Sequence, residues 1–219
     1  MRDGTWATKP QAHNSAWLTP PIVSKAIPPP QERRTAQEGR GMSQFPKLRL
    51  AYFHPVRARA ENIRMMLEYA GIPYDFVEHP YSRPVETLEG VQFGQLPVLE
   101  VDGTTIGQSG SITRYVAELA GLAPTGLLER ARCEMVFETA QEMSMLNRLV
   151  NRYTGESLRS NFAEWRERMP RYLANFSQML DGKPFFGASL PNYADFAVFP
   201  HGGPRAAAVP GHAGGAPFP

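Results

Sequence analysis

Residues 93–122 read FGQLPVLEVDGTTIGQSGSITRYVAELAGL. Within them LPVLEV at 96–101, the pair Asp102-Gly103 and TTI at 104–106 predict a β-hairpin, because Asp-Gly suits the backbone angles of a tight turn. SGSITRYVAELA at 109–120 predicts an amphipathic helix with Ser109 as its N-cap and Gly121 as its stop. Working upstream, KLRLAYF at 47–53 alternates, with Leu48, Leu50 and Tyr52 on one face, as a strand does. ARAENIRMMLEYA at 58–70 spaces Ile63, Met66, Leu67 and Ala70 as one helix face and ends at Gly71. A short strand at 74–77 follows Pro73. The order strand, helix, strand, irregular stretch, hairpin, helix predicts an α/β unit with a mixed sheet over 47–122.

Downstream the periodicity changes. Residues 127–153 keep Val136, Met143, Leu146 and Val150 on one side of a helix. Residues 157–180 carry Leu158, Phe162, Trp165, Met169, Leu173, Phe176 and Leu180 as a second apolar stripe, interrupted by Pro170. Asn192-Tyr193-Ala194-Asp195 opens a third helix, with Asn192 capping and the Asp195 carboxylate reaching back as a capping box.

The 219 residues carry 23 Lys+Arg against 21 Asp+Glu, a net charge of +2. That excess belongs to the ends: residues 1–41 hold +3 and residues 200–219 +1, so residues 42–199 hold −2. Six prolines in the first 41 residues break every period there, and the last 20 hold five Gly, five Pro and five Ala. A disordered leader over 1–46 and a disordered tail over 200–219 are therefore expected. Met42 opens MSQFPKLRLAYF, a natural beginning for a strand, and translation is expected to start there. The change of texture after Phe199 is expected to mark a truncated or misread helical region. The single cysteine, Cys133, excludes a disulfide framework. His54 and His79 stand alone, so no metal is expected. Basic residues form no stripe with interleaved aromatics, which argues against nucleic acid, and no apolar run reaches the roughly 18 residues of a membrane helix.

Three segments resemble the cytosolic glutathione transferases, closest to the tyrosine-type classes around sigma. They are LAYF with RARAENIR within 50–64, residues 93–122 quoted above, and FFGASLPNYADFAVF at 185–199. The resemblance implies a thioredoxin-like glutathione-binding domain over 47–122, an all-helical domain, here partial, over 127–199, a cytoplasmic location and usually a homodimer. It implies conjugation of glutathione to a small electrophile, with no metal. In such a fold Pro97 is the cis-proline, and the Leu96 backbone beside it pairs with the extended tripeptide. Gln95 belongs to the same step. Gln108 and Ser109 stand at a helix N-terminus, where free N–H groups and the dipole suit the glutamyl carboxylate.

Tyr52 is the candidate for chemistry. A thiol with a pKa of about 8.5 is mostly protonated at neutral pH, and a phenol O–H aimed at the sulfur favours the reactive thiolate. Arg57 or Arg59 would add positive potential. The family pattern places two residues between Tyr-Phe and Arg-Gly-Arg, whereas His54, Pro55 and Val56 make three here. Counting back from Arg57 puts Phe53 at the tyrosine position; matching the strand puts Tyr52 there. A strand slip flips its faces and a loop insertion does not, so Tyr52 is taken. The Trp and Lys that sigma-like members use for the glycyl carboxylate correspond to positions near Pro84 and Leu88, with Tyr81 or Arg83 as substitutes. Glu134 or Glu138 is the acidic side chain offered across the dimer interface, or part of a solvated face, and Cys133 on that helix is read as packing. Two other functions stay open: a non-enzymatic transferase-like binding or structural protein, and glutathione-dependent isomerisation of the prostaglandin D synthase type.

Overall fold

The computed structural model describes residues 45–54, 58–88, 90–152 and 154–202. The expectations for residues 1–44 and 203–219, and for Pro55, Val56 and Arg57, lie outside the described residues. Four strands, β1 (Leu48–His54), β2 (Asp75–Pro80), β3 (Val98–Val101) and β4 (Thr104–Gly107), form one sheet in the order β2-β1-β3-β4. β1 and β2 run parallel, while β1 with β3 and β3 with β4 run antiparallel. This is the expected mixed sheet.

Helix α1 (Glu61–Ala70) connects β1 to β2, and α2 (Ser109–Leu119) follows β4. α1 starts three residues later than its periodicity suggests, because Glu61 N–H bonds Ala58 C=O and residues 58–60 form a turn. It ends as expected at Gly71, whose φ of 64° needs a residue without Cβ. Leu48, Leu50 and Tyr52 on β1, Ile63, Met66 and Leu67 on α1, and Ile112 and Val116 on α2 close one core. The expectation that Ser109 caps α2 is corrected. β4 runs on to Gly107, so Gln108 has to turn the chain, and it occupies the cap position with φ 67°. Ser109 is the first helical residue and is buried.

The helical region contains α3 (Leu127–Arg152), α4 (Gly155–Leu180) and α5 (Tyr193–Gly202). Two boundaries shift at the ends. Phe45, assigned to the leader, packs half-buried against the core. Residues 200–202, assigned to the tail, continue α5 through Pro200. Within α3, Val136, Met143 and Leu146 are buried as their spacing implies. Along α4 only Met169 and Phe176 are fully covered, and the rest of its stripe is partly exposed. α5 buries Tyr193, Ala194, Phe196 and Ala197 in the core, while Phe199 further along stays exposed. Phe196 meets Tyr69 of α1 edge-on at 5.3 Å, and Tyr193 meets Phe137 of α3 at 5.6 Å.

The capping box at α5 forms as expected. Asn192 Oδ1 accepts the Ala194 N–H at 2.9 Å, and Asp195 Oδ2 accepts the Asn192 N–H at 2.9 Å. Asp195 Oδ1 also accepts the Phe186 N–H at 3.0 Å, so one carboxylate ties the α4–α5 loop to the helix. Burial pushes this carboxyl up to about 6, against the opposing pull of those N–H groups. Because the folded value lies above the ordinary 3.8, the native state holds more protons between the two, and stability falls as pH rises through that interval. Asp195→Asn, which does not titrate, is expected to remove that part of the slope. Urea unfolding of both proteins from about pH 4 to about pH 6 checks this, and parallel stability curves would refute it.

Candidate functional site

The sheet register gathers the candidates. Ala51 of β1 faces Val98 of β3, and Val98 faces Gly107 of β4. One residue further toward the same edge stand Tyr52, Pro97 and Gln108. The Leu96–Pro97 peptide is cis, as expected. Leu96 and Pro97 are buried, whereas Gln95 and Gln108 lie exposed on either side of them. A Cβ at Gly107 would meet the Phe93 ring at 3.3 Å, so glycine there lets the loop ahead of Gln95 close over the end of β4.

Tyr52 points into the fold and its hydroxyl accepts the Arg59 N–H at 3.1 Å. A phenol oxygen that accepts a backbone N–H is polarised and becomes a better donor of its own proton. Phe53 points to the opposite face, stacked on Tyr81 at 4.3 Å and edge-on to His79. The alternation of β1 therefore places Tyr52, not Phe53, on the face that carries α1 and α2. The Arg59 side chain is half-buried. Its Nη2 donates to Met145 Sδ of α3 at 3.0 Å, and its buried Nε has no hydrogen-bond partner among the described residues. A cation with an unmet donor, on the residue whose N–H holds the phenol, suits an anion such as a thiolate.

At α2 the first intrahelical bond is Ile112 N–H to Gln108 C=O. By helix geometry the N–H groups of Ser109, Gly110 and Ser111 lie ahead of it and have no acceptor within the helix. Gln108 with φ 67° and ψ 117° is an uncommon conformation for a residue with a Cβ. The edge thus offers a phenol and a cation at β1, a backbone strip at Leu96–Pro97, and N–H donors at α2.

Other sequence candidates are placed elsewhere. His54 Nδ1 pairs with Glu78 Oε1 at 2.9 Å on the surface. Tyr81 is engaged with Phe53, and the Arg83 carbonyl bonds the buried His79 ring at 2.9 Å. Pro84 begins a single 3-10 turn, Val85–Thr87, and Leu88 packs half-buried behind it. Glu134 and Glu138 both pair within the chain with Arg114 of α2, Glu134 through two hydrogen bonds at 2.8 and 2.6 Å. Glu134 also accepts the Tyr193 O–H at 2.7 Å, and the Arg114 guanidinium holds its carboxyl below the ordinary carboxylate value. Cys133 is buried, and burial pushes its thiol up to about 11, so it is packing rather than a nucleophile. The sequence reading missed Met145 as a neighbour of Arg59. The signal was a methionine off the buried stripe of α3. A groove of about 550 Å³ on α4, lined by Phe162, Trp165, Arg166 and Pro170, contains none of the site residues.

A mixed sheet with a cis-proline loop beside a helix N-terminus, followed by a helical region, defines a thioredoxin-like protein with an appended helical unit. A family model, "Glutathione S-transferase, N-terminal domain", matches residues 58–119. Hematopoietic prostaglandin D synthase of Gallus gallus is 32% identical over 163 residues, covering 69% of this chain and 76% of that protein. Probable glutathione S-transferase 6 of Caenorhabditis elegans is 40% identical over 88 residues, 40% of this chain and 42% of that one. The solved structure of NaGST-2 superposes with a TM-score of 0.65 at 25% identity, covering 75% of this chain and 82% of that one. The chain belongs to the glutathione S-transferase family.

The conformation of Gln108 can be tested directly. At φ 67° a β-branched side chain is strained and glycine is not, so Gln108→Val is expected to be less stable than Gln108→Gly by roughly 1–2 kcal/mol. Thermal melts of the two variants measure the difference. Equal stabilities would mean that this backbone relaxes.

Proposed function

We propose that the chain binds glutathione along the Tyr52–Pro97–Gln108 edge and activates its thiol for attack on small electrophiles. Membership of the transferase family supports this reading. The observation that carries it is the Tyr52 hydroxyl, buried, polarised by the Arg59 N–H and set at the sheet edge that also bears the proline loop and the α2 N-terminus. In this reading Gln95, Leu96 and Pro97 align the tripeptide backbone, and Gln108 with Ser109 receives its glutamyl carboxylate. Tyr52 donates its O–H to the sulfur, Arg59 adds positive potential, and the thiol proton leaves to solvent. The thiolate then forms a carbon–sulfur bond. Either a leaving group departs with its electron pair, or the electrons of a conjugated double bond move to the far atom, which takes a proton from water. Glutathione is consumed as co-substrate, and the reading uses no metal; none of the described residues form a cluster able to hold one.

The α/β unit, from Phe45 through residue 122, serves as the glutathione-binding unit, and α3 to α5 serve as the helical one. A cytoplasmic location belongs to the same reading; among the described residues no helix is long and apolar enough to cross a membrane. Homodimerisation has support in the exposed apolar side chains Leu127, Leu128 and Met135 on α3 and Phe93 on the loop before β3. A second reading, glutathione-dependent isomerisation, is favoured by the 32% identity with hematopoietic prostaglandin D synthase.

Tyr52→Phe is expected to stay on immobilised glutathione while losing roughly 100-fold in conjugation rate near neutral pH. Its rate should recover as pH approaches the thiol's own value of about 8.5. Conjugation measured across pH for both proteins decides the matter. Activity unchanged in Tyr52→Phe would defeat the assignment.

A further inference from the structure

The α2 end of the proposed site is tied to the neighbouring helix α1 by a buried chain of hydrogen bonds. Asn62, in the first turn of α1, donates from Nδ2 to Thr113 Oγ1 of α2 at 2.8 Å. Thr113 in turn donates its hydroxyl proton to the Ser109 carbonyl at 2.7 Å. Asn62 is 5% exposed, Thr113 0% and Ser109 5%, so solvent does not compete for these bonds. The direction is determined by chemistry. A carbonyl only accepts, which commits the Thr113 proton to Ser109 and leaves Thr113 a lone pair, so Asn62 must present its amide N–H.

The bonded carbonyl is not neutral with respect to ligand binding. Ser109 C=O and Gly110 N–H belong to one peptide group, and that N–H lies in the first turn of α2, which has no acceptor inside the helix. A hydrogen bond received at the carbonyl polarises the group and strengthens the N–H as a donor. The relay from Asn62 through Thr113 and Ser109 therefore ends on a donor that faces out of the helix. Asn62 also lies three residues after Arg59, whose N–H holds the Tyr52 hydroxyl.

We propose that Asn62 and Thr113 are positioning residues, which orient and polarise the first turn of α2 for the γ-glutamyl carboxylate of glutathione. This rests on the glutathione reading of the site. The alternative is that the pair only holds α1 to α2. Replacing both partners together separates the two, because an apolar pair of similar shape is nearly neutral for stability while one orphaned polar group is not.

The test uses the full chain. Unfolding and titration with glutathione are compared for wild type, Thr113→Ser, and the double variant Asn62→Leu with Thr113→Val. Thr113→Ser keeps the hydroxyl and is expected to bind as wild type does. The double variant is expected to unfold near the wild-type midpoint, yet to bind glutathione about five- to tenfold more weakly. Its KM for glutathione should rise by a similar factor, with kcat at saturating glutathione unchanged. Cysteinylglycine, which lacks the γ-glutamyl group, should bind both proteins alike. A folded double variant that binds glutathione as wild type does overturns the proposal and leaves the site reading intact. A double variant that no longer folds assigns the pair to the fold alone and also overturns it. Wild type that fails to bind glutathione sinks the site reading and this proposal with it.

Discussion

The register of three strands is the constraint on which the site depends. Ala51 opposite Val98, and Val98 opposite Gly107, is a statement about backbone hydrogen bonds, yet it decides which side chains share an edge. A slip of one residue in β1 would send Tyr52 to the face now held by Phe53 and bring Phe53 to the core. The apolar alternation of Leu48, Leu50 and Tyr52 against α1 and α2 opposes that slip, because it would expose three buried side chains at once. Function and packing are thus held by one pattern.

A second constraint joins the α/β unit to the helices. α5 contributes Tyr193, Ala194, Phe196 and Ala197 to the same core as β1 and α1. Around that apolar seam lies a polar one, in which Arg114 reaches from α2 to Glu134 and Glu138 on α3, and Tyr193 of α5 closes on Glu134. The Arg114 guanidinium also sits 5.0 Å from the Phe137 ring centre. These partly exposed pairs add modestly to stability. They also engage both acidic side chains that the family resemblance had offered to a partner subunit. The helical region also carries Met145 to the Arg59 guanidinium, while the Arg59 N–H holds the Tyr52 hydroxyl, so one residue links β1 to α3.

Much of this was legible in the chain itself. Asp102-Gly103 marked the hairpin, Gly71 the end of α1, and Asn192 with Asp195 the start of α5, because each needs only local backbone geometry or a capping contact three residues away. The opposite faces taken by Tyr52 and Phe53 were legible too, since strand alternation is a local period. Ser109 was misplaced by one position, because capping preference says which residues suit a helix end and not where the preceding strand stops. Residues 200–202 were assigned to a tail on Gly and Pro content, although the described helix continues through them.

What the sequence determined by itself is the set of elements and the side each presents, since periods of two and 3.6 are properties of the chain alone. Only the tertiary structure decided which ends of those elements meet. Tyr52 and Gln108 are separated by more than fifty positions and share an edge through β3. Asn62 and Thr113 meet because α1 and α2 pack on one face, and Arg59 finds Met145 across 86 positions. Contacts at such separations carry no local period, so nothing short of the folded register reveals them.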